Sequence, residues 1–418
     1  MTGTGTFVII GTGRAGIRAA EVLRESGFDG RVVLISDENE SPYDRVTLSK
    51  HYLYGARGFH TLYFHDREFY AARGMELQLG TPVSSIDPGR GDVVLSSGKR
   101  YRYDKLLLAT GCAARRWEGR GSDLDGVHYV RTLHDATRLR EALTATAEQG
   151  GRVAVVGTGW VGCEVAAAAR ELGLPVSLIG RGALPLDKQV GSRIGEFFRR
   201  AHEARGVDLY LGTGVAALAG TGVVESVVLT DGNLVDADLV VFGIGASPRV
   251  QLASAAGLAV DDGIVTDEYF ATSAPNIFAA GDVANVPNAA VGRRERVEHY
   301  AAALTQGAGA ARSMLGVREP YAQIPFFFSD QYDIWMECTG DLAGADDFVM
   351  RTLSGSETFL AFWLRGGRLA AGMNVNIKGV PEQIRALVAG GRQVDRGRLA
   401  DPGVPLDEVV AGVQGGTR

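Results

Sequence analysis

"VVGTGWVGCEVAAAARELGLPVSLIGRG", residues 155–182, runs from an apolar strand through a glycine turn into a helix and out to a second strand. With Gly157, Gly159 and Gly162 in G-x-G-x-x-G spacing, this is the outline of a βαβ motif that binds a dinucleotide. One glycine permits the tight turn, one lets backbone approach a pyrophosphate, and one allows close helix–strand packing, with the phosphates at the helix N-terminus. The motif ends on Gly180 and Arg181, where a site for NAD usually ends on Asp or Glu.

Residues 7–38, "FVIIGTGRAGIRAAEVLRESGFDGRVVLISDE", repeat the pattern with Gly11, Gly13 and Gly16. A single G-x-G-x-x-G is weak evidence, but two copies, each between a strand and a helix, make two nucleotide sites the expectation. In the first copy Asp37 or Glu38 can accept a hydrogen bond from an adenosine ribose, which favours FAD. Aligning the copies sets Ser36 against Gly180 and Asp37 against Arg181. An acid at that point accepts from a free 2′-hydroxyl and repels a 2′-phosphate, whereas an arginine beside a small residue binds the phosphate in a fork. The second site is therefore expected to accept NADPH and to prefer it to NADH.

The 418 residues, 45% of them hydrophobic, can bury a large core and should divide into two or three domains at about 150 residues each. A net charge of −6 argues against binding a phosphate backbone, so nucleic acid is not an expected partner. No stretch approaches the roughly 20 apolar residues that span a bilayer, and the N-terminus leads directly into a strand, so a cytoplasmic protein is expected. Cys112, Cys163 and Cys338 are far apart, with neither a C-x-x-C nor a metal-type spacing. They are read as small buried residues, and no metal site is expected. A redox dithiol is missing.

Between and after the two motifs, "DVVLSSGKRYRYDKLLLATG" (92–111) and "VVESVVLTDGNLVDADLVVFGIG" (223–245) read as hairpins and returning strands. "TSAPNIFAAGDVANV" (272–286) sets an apolar strand against an acidic turn, and residues 296–315 read as a helix. From about residue 320 aromatic strand-like stretches, closed by the helix "VPEQIRALVAGG", indicate a smaller α+β domain.

The order GTGRAG, SPYDRVTLSK, KLLLATG, GTGWVGCEVA, IFAAGDVAN and FFFSDQYD, closing on RLADPGVPLDEVV, resembles the single-component ferredoxin reductases that feed cytochromes P450 and Rieske oxygenases. The resemblance covers nearly the whole chain. It implies an α/β, glutathione-reductase-like fold with two Rossmann-type domains and a C-terminal α+β domain. The expected division is an FAD domain in two parts (1–115 and 244–318), an NAD(P) domain (116–243) and a C-terminal domain over the flavin (319–418). The implied activity is hydride transfer from NADPH or NADH to FAD, then single-electron transfer to a [2Fe–2S] ferredoxin, by a monomer or weak homodimer.

Carried onto this chain, the resemblance assigns Gly11, Gly13, Ala15 and Gly16 to the FAD pyrophosphate motif. Asp37, Arg45, Val83, Ala109, Thr110, Gly111, Arg131, Gly281 and Asp282 also fall to FAD, with Asp282 on the ribityl chain. Gly157, Gly159, Trp160, Val161, Gly162, Gly180, Arg181 and Gly245 fall to the nicotinamide nucleotide. Lys50 is expected by the flavin N5 edge, paired with Glu164, where a fixed cation stabilises charge arriving on the ring. Lysine is also rare here, five among 43 basic residues, so a generic surface cation would normally be arginine.

The chain departs from the family pattern at Val46 and Thr47, where RPPLSK is common, at Gly180, where the family mostly keeps Glu and prefers NADH, and at Phe328, usually tryptophan. Phe328 and Tyr300 would form an aromatic wall beside the nicotinamide, while some of Phe326, Phe327 and Phe328 serve the core. For an acidic ferredoxin, Arg293, Arg294 and Arg296, or Arg115 and Arg116, offer a local basic patch. A second reading stays open: a redox-sensing flavoprotein that acts by binding, related to apoptosis-inducing factor, with slow turnover.

Overall fold

Strand β1 (Thr6–Ile10) is almost wholly apolar because it lies between parallel neighbours and is covered on both faces. In the computed structural model, which describes residues 5–353 and 357–411, β1 pairs in parallel with β2 (Arg31–Ile35) on one side. β3 (Met75–Gln78) lies beyond β2, and β4 (Lys105–Leu108) pairs with the other side of β1. A strand from far along the chain, Ile277–Ala279, completes the sheet beside β4. Helix α1 (Arg14–Glu25) carries small residues where another helix crosses it closely: a Cβ on Gly307 of that helix would lie 2.3 Å from the Ala15 carbonyl oxygen.

A second parallel sheet repeats the plan. Its strands are β5 (Val127–Tyr129), β6 (Val153–Val156), β7 (Val176–Gly180), β8 (Val207–Leu211) and β9 (Leu239–Phe242), in spatial order β8-β7-β6-β9-β5. Helix α2 (Trp160–Glu171) joins β6 to β7. In each sheet the first strand of the βαβ motif is central, and the chain's order reverses on its two sides. Ligands of open α/β sheets bind at the carboxyl ends of the strands at that reversal.

Helix α3 (Tyr300–Met314) begins four residues later than the sequence pattern suggested. Residues Arg293–Glu295 instead pair antiparallel with Val286–Asn288, and the chain stays extended to His299. By contact, the chain divides into two compact units, Met1–Asn288 with Arg293–Tyr321 and Ala289–Gly292 with Ala322–Arg418. The smaller unit is a five-stranded antiparallel sheet in the order Phe326–Gln331, Ile334–Gly340, Arg368–Val375, Phe359–Arg365, Asp347–Thr352. Helix Pro381–Gly390 packs on this sheet through Ile384. Buried Arg351 ties the C-terminal segment to it, donating to the carbonyls of Arg398, Leu399 and Val404 at 2.8–2.9 Å.

Candidate functional site

The glycines of the two motifs are present for different reasons. Gly11 and Gly157 take φ of +111° and +113°, and a Cβ on either would lie 2.1–2.2 Å from the carbonyl oxygen of Ala109 or Gly243. Gly16 and Gly162 are pressed onto the turn, with a Cβ 2.0 Å from the Gly11 oxygen and 1.8 Å from the Gly157 oxygen. The middle glycines differ. Gly13 has an ordinary φ of −70° and no atom within 4 Å of a Cβ, and Gly159, at −85°, meets only Gln189 Nε2 at 3.6 Å. Neither backbone strain nor crowding requires glycine at these two positions. Each opens onto a helix start with no side-chain cap, where unbonded N–H groups and the helix dipole favour an anion. The residues present fit a dinucleotide pyrophosphate at each motif.

Lys50 and Glu164 meet at helix α2 of the second motif. Lys50 follows a 3₁₀ turn, Val46–Ser49, and its Nζ lies 3.0 Å from Glu164 Oε1 and 3.2 Å from the Val46 carbonyl oxygen. Ser49 donates its hydroxyl to Glu164 Oε2 at 2.5 Å. Both charged residues are buried, so Glu164 is not an outward-facing helix carboxylate. Sequence reasoning overlooked Ser49, although it stands inside the LSK segment.

A second polar network joins other expected residues. Arg131 pairs with Asp282 at 2.7 Å and donates to the Cys112 carbonyl, while Arg45 donates to the Arg131 carbonyl, the Tyr43 hydroxyl and Glu38. Thr110 donates to the Arg249 carbonyl, and Gly281 N–H to Gln306 Oε1. Gly111, at φ +65°, leaves the Arg131 guanidinium 3.4 Å from where a Cβ would stand. A Cβ at Gly245, φ +99°, would meet no atom within 4 Å. Desolvation pushes the Cys112 thiol up to about 12, so it is held neutral.

Other expected residues stand apart from these networks or are already paired. Asp37 is half exposed and paired with Arg249 at 2.9 Å. Val83 opens an antiparallel strand at the edge of the apolar cluster around Ile86 and Val93. Phe328 belongs to the smaller unit, its ring 6.4 Å from that of Phe326. Trp160 sets its ring edgewise to Phe198, and Val161 is exposed.

The basic patch expected at residues 293–296 needs correction. Arg296 is largely buried and held by Asp262 and Glu298, Arg294 donates to the Thr266 and Asn285 carbonyls, and Arg293 pairs with Glu295. Carboxylates pair with Arg293 and Arg296, and Arg294 is held by backbone carbonyls. Arg115 and Arg116 are exposed, with Arg116 over the Tyr129 ring at 4.1 Å.

At the end of the second motif Arg181 is exposed, with no hydrogen bond or ion pair to any described residue. Gly180 is buried, and a Cβ there would fall 2.3 Å from Thr158 Cγ2 and 2.6 Å from Thr158 Oγ1.

Residues 5–307 match the family model for pyridine nucleotide-disulphide oxidoreductases, and residues 326–410 match the reductase C-terminal model. The chain belongs to the pyridine nucleotide-disulphide oxidoreductase family. Its members bind FAD and a nicotinamide nucleotide, and this chain is a flavin-dependent oxidoreductase. It is 40% identical to the anthranilate 1,2-dioxygenase system ferredoxin–NAD(+) reductase component of Burkholderia cepacia over 96% of this chain and 98% of that one. It is 35% identical to putidaredoxin reductase of Pseudomonas putida over 98% of both. Among solved structures, the covalent putidaredoxin reductase–putidaredoxin complex matches with a TM-score of 0.92 at 35% identity, over 98% of both chains. The ferredoxin reductase for the CYP199A2 system of Rhodopseudomonas palustris matches with 0.93 at 33% identity, over 97% of this chain and all of that one.

Proposed function

We propose that the chain is an NAD(P)H-dependent ferredoxin reductase of the cytoplasm that favours NADPH and serves a small [2Fe–2S] ferredoxin, itself the donor to a cytochrome P450 or a Rieske oxygenase. The observation that carries this is the buried Lys50–Glu164 pair: it fixes one cation against the helix of the second dinucleotide motif. Names of the relatives, ferredoxin–NAD(+) reductase components, support the same reading. Bound FAD supplies the redox chemistry, taking two electrons from the nicotinamide and releasing them singly. The chain's own residues bind, orient and tune.

In this reading Gly11, Gly13 and Gly16 hold FAD, and Gly157, Gly159 and Gly162 hold the nicotinamide nucleotide. Lys50 stabilises negative charge at the flavin edge, and Glu164 keeps the ammonium in place with help from Ser49. Asp282, oriented by Arg131, takes the ribityl chain. The division into an FAD domain (1–115 and 244–318), an NAD(P) domain (116–243) and a C-terminal domain (319–418) belongs to the same proposal. No described helix is long and apolar enough to cross a membrane.

Arg181 underlies the nucleotide preference. It is an exposed guanidinium, unpaired among the described residues, at the strand end where a ribose-binding acid would otherwise select NADH. Anaerobic stopped-flow mixing of the yellow protein with NADPH and, separately, NADH tests both parts. Fast bleaching by NADPH and slow bleaching by NADH is expected, with the ratio collapsing in Arg181→Glu. Fast bleaching by NADH alone would discard the preference and keep the reductase. Sluggish bleaching by both would overturn the reductase reading.

A further inference from the structure

We infer that Thr158 is a specificity-determining residue for the nicotinamide nucleotide, because its branched side chain bars an acid from position 180. The inference rests on the reading of Arg181 given above and adds a cause to it. Gly180 is not required by its own backbone: its φ lies outside the left-handed region, and it ends a regular parallel strand paired to Leu211. The demand for glycine comes from Thr158. A Cβ at position 180 would lie 2.3 Å from Thr158 Cγ2, 2.6 Å from Oγ1 and 3.0 Å from its Cβ.

Rotation of Thr158 does not clear the space. A β-branched side chain always fills two of the three staggered positions on its Cβ, and both crowded positions face Gly180. Turning the methine hydrogen into one of them leaves a heavy atom in the other. Nor is the backbone free to yield on either side. The Gly180 carbonyl accepts from Thr213 N–H at 3.2 Å, Gly157 N–H bonds the Ile179 carbonyl at 2.8 Å, and the Thr158 carbonyl accepts from Leu186 N–H at 2.9 Å.

The first motif shows what the alternative looks like. Thr12 stands at the matching place, and Ser36, held by equivalent backbone bonds (Gly11 N–H to the Ile35 carbonyl at 2.8 Å and Thr81 N–H to the Ser36 carbonyl at 3.0 Å), carries its own Cβ with Asp37 next to it. The collision at Gly180 thus comes from how Thr158 is placed and not from threonine at that turn as such. In the second motif Thr158 directs Cγ2 and Oγ1 at Gly180, which ends β7, so a Cβ there collides. Thr158 therefore keeps the position empty of charge, and Arg181 faces an incoming 2′-phosphate with no carboxylate between them.

Melting and nucleotide binding of the FAD-loaded protein test this. Gly180→Ala should lower the melting temperature in the Thr158 chain and have little effect in Thr158→Gly, a coupling that needs no catalysis. Calorimetric titration with NADP+ and NAD+ should show Gly180→Glu alone weakening both nucleotides, and Thr158→Gly/Gly180→Glu preferring NAD+ by about tenfold. If Gly180→Glu does not fold, the Gly180→Ala melting cycle decides. Equal melting losses for Gly180→Ala in both backgrounds, or a full reversal of preference by Gly180→Glu alone, would overturn the role of Thr158. An unaltered protein that binds NAD+ as tightly as NADP+ would sink the Arg181 reading instead, and the melting coupling would still stand.

Discussion

Lys50 Nζ and Glu164 Oε1 lie 3.0 Å apart in a buried ion pair that links the turn after the first βαβ motif to the opening of helix α2 in the second. Removing one partner strands the other charge away from water, which costs about 3–5 kcal/mol, whereas replacing both with apolar residues leaves no stranded charge. Glu164→Leu should thus lose more stability than Lys50→Met/Glu164→Leu, as read from urea midpoints at constant m. Both variants should reduce flavin slowly. Equal urea midpoints for the single and the double would show that the pair does not act as a unit.

The open middle glycines separate the two nucleotides. Gly13→Ala meets no protein atom, so it should fold normally and release FAD on gel filtration. Gly159→Ala should keep its yellow colour and raise the Kd for the nicotinamide nucleotide. By contrast Gly11→Ala and Gly162→Ala collide with backbone oxygens and should lower the melting temperature by several degrees. Retention of FAD by Gly13→Ala would remove the first pyrophosphate from this cradle.

Cys112 should resist alkylation. With its thiol pushed up to about 12 by desolvation, almost no thiolate exists at pH 8, and Cys163 and Cys338 are raised by burial as well. Iodoacetamide at pH 8 should leave the native protein unmodified by mass spectrometry and label three cysteines after denaturation. Rapid single labelling at Cys112 would point to a reactive thiol.

Acid should weaken the fold before its carboxylates titrate. Burial lowers His299, outweighing Asp282 and Glu298, and lowers His128, with Arg138 acting in the same direction. The native state therefore favours neutral imidazole. This stability is complete above the unfolded value near 6.5 and is lost as pH falls through the lower native values. Melting temperature should drop between pH 7 and pH 5, and His128→Gln/His299→Gln should flatten that slope. An unchanged slope would assign the loss to other groups.

Much of this molecule was legible in its residues because the signals are local. A G-x-G-x-x-G between an apolar run and an amphipathic run specifies strand, turn and helix through neighbours a few residues away, and both motifs formed as read. Helix α3 was legible in type but not in its start, since residues 293–295 are drawn into a strand by Val286–Asn288. The arginines of that segment look like a basic patch in sequence. Only packing brings Asp262 and Glu298 to Arg296.

By itself, then, the sequence determined two dinucleotide cradles, the lack of a dithiol and the candidates Lys50, Glu164 and Arg181, all consequences of residue type and short-range spacing. Tertiary structure decided which of these meet. It closed Lys50 onto Glu164 across more than a hundred residues, cancelled the charge of Arg296, and set Thr158 against Gly180. The physical reason is that short-range geometry follows from allowed φ/ψ and helix or strand period, whereas burial and charge pairing depend on surfaces that exist only once distant strands have closed into sheets.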